Sequence, residues 1–132
     1  MKKIILPIAI AACALAVQLA AAAPAAEVKE IMSKPLTGIP GKEGLMLEVT
    51  YPPGGGDEIH RHDAHAFVYV IEGSIVMQLR GAEPVTVNAG EGFYEGPNDV
   101  HIVGRSASDS KPAKFVVVLV KNQGVPAVLP AK

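Results

Sequence analysis

GGGDEIHRHDAHAFVYVIEGS, residues 54–74, carries three of the four histidines in this 132-residue chain: His60, His62 and His65. The fourth is His101. The stretch opens on a glycine loop and runs into Ala66-Phe67-Val68-Tyr69-Val70-Ile71, whose β-branched and aromatic content reads as a strand. Only Glu72-Gly73 separates it from SIVMQLR, 74–80, where Ile75, Met77 and Leu79 alternate with Ser74, Val76, Gln78 and Arg80. That spacing predicts a tight hairpin, with Gly73 supplying the positive φ.

Reading outward, LMLEVTY (45–51), PVTVNAG (84–90), GFYEGPNDVHIVG (92–104) and AKFVVVLVK (113–121) have the same character. Turn residues interrupt them about every 8–12 positions, and no helical periodicity appears after residue 26. The pattern predicts an all-β sandwich or barrel. Leu47, Val68, Val70, Val76 and Phe93 are expected inside, with Gln78 on the face of Val76. The strands at 66–72 and 113–121 are apolar on both faces, so each needs a second cover. A homodimer is expected to supply it.

Residues 1–25 are set apart from the fold. Lys2 and Lys3, a long apolar run and Ala23-Pro24-Ala25 have the layout of a secretory signal peptide. The expectation is a periplasmic or secreted protein with no membrane attachment after cleavage; an uncleaved anchor is the alternative. Residues 26–44, rich in Gly and Pro, are expected as an irregular arm with at most a short strand or turn near Val28–Met32. Residues 45–132 form the β domain. The leader takes the only cysteine, Cys13, with it. Chemistry in the mature chain is thereby limited to His, carboxylate and Tyr. The formal charge moves from −1 to about −3 without Lys2 and Lys3, and there is no basic patch and no Trp, so nucleic acid is not expected as a partner.

In an extended strand, residues i and i+2 share a face. His60 and His62 therefore project together, a pairing that suits a metal because each neutral imidazole offers one lone pair. Strict alternation turns His65 to the opposite face. It becomes a candidate ligand only through a bulge at Asp63-Ala64, and a rim position beside a carboxylate such as Asp63 is favoured. Asp57 and Glu58 could orient an imidazole, though a solvated loop is the simpler reading. Tyr94 and Glu95, before the Pro97 turn, could serve as acid, base or substrate contact, with a surface role equally compatible.

The spacing of Gly54, His60, His62 and Gly73 resembles the first motif of the cupin superfamily. Gly90 and His101 keep the separation of its second motif, with Pro97 one residue late and Arg105 in the usual place of Asn. The resemblance covers about residues 45–121. It implies a jelly-roll barrel, or double-stranded β-helix, with one divalent transition metal (Fe, Mn, Ni, Zn or Cu) held by His60, His62 and His101. The motif's glutamate falls at Ala66, which cannot coordinate. The implied site is therefore three imidazoles, more cationic by one unit than the family's usual set, and expected to favour anionic or enolate-like ligands. Resemblance suggests a dioxygenase-like or isomerising enzyme acting on a small organic substrate. A non-enzymatic periplasmic binder of small molecules or metal is the alternative.

Overall fold

The computed structural model describes residues 20–131. The first nineteen residues of the expected leader lie outside them. Among the described residues there is no helix, and hence none long and apolar enough to cross a membrane.

Ten strands run in chain order: β1 (Glu27–Pro35), β2 (Lys42–Tyr51), β3 (His60–Arg61), β4 (Ala64–Glu72), β5 (Ser74–Leu79), β6 (Val85–Asn88), β7 (Gly92–Glu95), β8 (Val100–Ser106), β9 (Ala113–Asn122) and β10 (Leu129–Pro130). They form two five-stranded sheets, ordered β1-β2-β9-β4-β7 and β10-β3-β8-β5-β6, with antiparallel strand pairing throughout. The core fills the space between them, as in a jelly roll.

Alternation explains how the strands face the core. In β9, Phe115, Val117 and Leu119 are buried while Val116, Val118 and Val120 are half-buried on the outer face. In β4, Ala64, Ala66, Val68 and Val70 point in, while His65, Phe67, Tyr69 and Ile71 point out and are exposed. Register converts these faces into cross-strand rows. One row reads Leu45, Leu119, Ala66, Glu95 across β2, β9, β4 and β7. The next reads Leu47, Val117, Val68, Phe93. Such facing pairs are the unit of sheet stabilisation.

Three expectations need correction. The segment expected as an irregular arm contains a nine-residue strand, β1, which completes the sheet by pairing with β2 from Glu27↔Thr50 to Pro35↔Glu43. It is exposed along its whole length, so its structure comes from the backbone groups that β2 offers rather than from burial. Second, β4 and β5 are not a hairpin. They belong to different sheets, and Gly73 turns the chain from one to the other with φ of 71°. A Cβ there would stand 2.6 Å from the Pro112 carbonyl oxygen, so the corner admits only glycine. Third, the core face of β5 is Ile75 and Met77, both essentially fully buried, and not Val76 and Gln78. Gln78 instead donates to the Ala82 carbonyl, at 2.9 Å. Both faces of β5 hold apolar residues, and sheet pairing with β6 and β8 decided between them.

Candidate metal centre

Register brings the distant histidine to the clustered ones. His60 of β3 pairs directly with His101 of β8, and their ring centroids lie 4.9 Å apart. His62 follows β3 on the same face, 4.8 Å from His60 by ring centroid. All three rings are buried.

Backbone carbonyls fix two of the tautomers. His60 Nδ1 donates to the Glu58 carbonyl oxygen at 2.8 Å, and His62 Nδ1 donates to the carbonyl of Ala127, far along the chain. With both protons committed at Nδ1, the neutral rings present two Nε2 lone pairs to each other across 3.2 Å. Lone pairs at that distance repel unless a proton or a cation lies between them. Nitrogens bound to one divalent ion at about 2.1 Å are themselves roughly 3.0–3.4 Å apart, so the observed spacing is that of neighbouring ligands.

Ala66 is buried with no exposure, and its cross-strand partner is Glu95. The Glu95 carboxylate enters the space beside Ala66. Oε1 is 3.5 Å from His101 Nδ1 and Oε2 is 3.6 Å from His62 Nε2. Where the sequence led to an expectation of imidazoles alone, a carboxylate from β7 stands beside them. The sequence held one signal for it. Phe93 was expected inside, and Glu95 lies two residues on, hence on the same face.

Two overlapping triads of potential ligands result, His60–His62–Glu95 and Asp57–His60–His101, each with donor atoms within 4.8 Å of one another. Glu95 Oε2 and both ring nitrogens of His101 are buried without a hydrogen-bond partner. Buried polar atoms are almost always paired, and unpaired ones converging on a common space fit a cation.

Electrostatics agree. Burial lowers the pKa of His62, and burial followed by the neighbouring His60 lowers that of His101 to about 4, which favours the neutral, ligating form of these two rings. Burial, then the charges of Asp57 and Asp99, raises Glu95 to about 7. A cation is the partner that would reverse that shift.

Tyr51, fully buried on β2, donates its hydroxyl to Asp57 Oδ2, and burial raises its pKa. The backbone at Gly104 leaves room for this pair. A Cβ there would lie 2.6 Å from His101 Cε1 and 2.8 Å from the Tyr51 hydroxyl.

His65 sits on the outer face, stacked on Tyr94, with its Nδ1 2.7 Å from the tyrosine hydroxyl. Its neighbour is therefore Tyr94 and not Asp63, and it is not brought to the three buried rings. Of the remaining candidates, Glu58 contributes its backbone carbonyl, and Arg61 lies half-buried on β3 between His60 and His62.

These groups form the floor of a cavity of about 720 Å³. Leu47, Val49, Val68, Met77, Phe115, Val117 and Leu119 wall it. Asp57, Glu58 and Ile59 line it from the β2–β3 loop, and Val128 to Ala131 from the C-terminal segment. This is the usual form of a small-molecule site, apolar with a few convergent polar groups.

A family model described as Cupin domain matches residues 47–119. Among solved structures, a Klebsiella pneumoniae protein with a double-stranded β-helix domain is 16% identical, with TM-score 0.63 over 80% of this chain and 85% of the other. An oxalate oxidase solved in complex with the substrate analogue glycolate is 23% identical, with TM-score 0.62 over 79% of this chain and 54% of the other. The DMSP lyase DddQ from Ruegeria pomeroyi is 17% identical, with TM-score 0.57 over 65% of this chain and 42% of the other. No curated protein matches the chain.

Proposed function

The chain belongs to the cupin domain family, and from that premise we propose that it is an exported metalloprotein acting on a small organic molecule. His60, His62, His101 and Glu95 would hold one divalent first-row transition ion. The observation that carries this reading is the grouping of three buried imidazoles around a buried carboxylate whose Oε2 has no hydrogen-bond partner. When bound, the ion supplies Lewis acidity and open coordination positions toward the cavity.

The protein's own groups do the rest. The Glu58 and Ala127 carbonyls hold two rings in the tautomer that ligation needs. The apolar walls keep water from the floor. The Tyr51–Asp57 pair places a hydroxyl and a carboxylate within reach of a ligand seated there. Fold relatives that include an oxalate oxidase and a DMSP lyase support an enzymatic reading over simple binding; the reaction class proposed, oxygenase or isomerase, rests on the motif resemblance alone. Metal analysis of the protein isolated from its native compartment tests the centre, with about one equivalent expected. Oxygen uptake or product formation with small carbonyl compounds, lost in His101→Ala, tests catalysis; ligand-induced stabilisation without turnover would point to the binder instead.

Export is proposed from Lys2, Lys3 and Ala23-Pro24-Ala25. Cleavage after Ala25 would leave β1 whole and forgo the bond from Gly56 N to the Pro24 carbonyl. The intact mass of the mature protein checks this. A homodimer is proposed from the exposed row Phe67, Tyr69 and Ile71.

A further inference from the structure

The cavity's charge says what kind of molecule it selects, an inference that rests on reading the cavity as the substrate site. Three acidic residues, Asp57, Glu58 and Glu95, are among those lining it, and among the described residues no lysine or arginine is. Glu95 lies at the floor among the imidazoles. Asp57 and Glu58 are exposed, and neither forms an ion pair with a lysine or arginine among the described residues. A cleft with one sign of charge and low-dielectric walls concentrates the opposite charge. The walls between mouth and floor are aliphatic, with the rings of Tyr51 and Phe115 packed edge to face among them. Aromatic rings and carboxylates around an apolar space are the surroundings in which an organic cation loses least on leaving water.

We propose that the site takes a small, mainly apolar organic molecule carrying a positive charge, drawn by the acidic residues Asp57 and Glu58. This reverses the preference for anionic ligands expected from three imidazoles, because the cavity lining adds acidic residues and, among the described residues, no lysine or arginine. Dicarboxylates are disfavoured: nothing cationic in that lining receives the second carboxylate.

Choline and its uncharged isostere 3,3-dimethylbutan-1-ol differ in the charge alone. Calorimetric titration of the full mature protein at low salt should show choline binding about tenfold tighter or better. In the Asp57→Asn, Glu58→Gln double variant the two should bind alike. The single Glu58→Gln, at an exposed side chain, should narrow the gap without altering the melting temperature. Equal affinities in the wild type, a preference that survives the double variant, or no saturable binding of either probe would each overturn the proposal. Metal content read on the same samples separates the two ideas. A protein without metal defeats the proposed centre and leaves the charge preference measurable.

Discussion

His62 and His65 are three residues apart and have opposite surroundings. His62 is buried, tied to a carbonyl from the chain's far end and faced by His60 and Glu95. His65 is exposed on the outside of the same barrel, resting on Tyr94. The same division runs along β4 and β7: Ala66 and Glu95 point in, Phe67 and Tyr94 point out, and the two outer rings meet at 5.3 Å. Residue type does not distinguish a buried site histidine from a surface one here. Parity along a strand does, and the inner face exacts far more from its residues.

Substitutions that reach the inner face should therefore cost most. Leu119→Ala, at a fully buried position in the row that ends on Glu95, should lower stability by about 2–5 kcal/mol in urea titration. Next comes the centre itself. His60→Ala or His101→Ala should weaken metal retention by more than the roughly 10–100-fold typical of losing a supporting partner, while His65→Ala should leave it unchanged; equal loss in all three would erase the distinction between the faces.

A pH titration of protein freed of metal with chelator sharpens the contrast within the site. His101 is lowered from 6.5 to about 4, so between those values the unfolded chain binds more protons and stability from this ring rises with pH. Glu95 is raised from 4.5 to about 7, so between those values the folded chain binds more protons and stability from this group falls with pH. The two oppose each other between pH 4.5 and 6.5. Glu95→Gln removes the falling limb, and urea titrations of this variant should show stability climbing more steeply over that window than in the wild type. A flat or falling profile would contradict the assignment.

On the outer face, Tyr69→Glu should dissociate the proposed dimer by light scattering and leave metal content intact. The smallest effect belongs to His65→Ala, which removes one exposed hydrogen bond and should cost about 1 kcal/mol or less.

What was legible in the sequence follows from this division. β-Branched and aromatic content, rather than alternation, marked the strands at 113–121 and 66–72. The expected grouping of His60, His62 and His101 came from motif spacing, and the register pairs His60 with His101. Of strand β1 only a short strand or turn near Val28–Met32 was expected, since its Lys, Glu, Ser and Pro residues gain order from the edge of β2 and bury nothing. The sheet to which β5 belongs was hidden because a two-residue link containing glycine serves a corner as well as a hairpin. Glu95 was hidden for a related reason: its neighbour across the sheet, Ala66, lies 29 positions earlier, and pairing register cannot be read from one strand alone.

The bond from His62 to Ala127 spans 65 residues. The same tail pairs Leu129–Pro130 with Arg61 and His60, and Lys121 holds it by donating to the Val125 carbonyl. A chain emerging from the ribosome or a translocation channel would present its first two histidines long before the carbonyl that sets one of them exists in folded form. An ion taken up at the proposed centre would therefore meet His62 in its fixed tautomer only after Ala127 has folded back onto it.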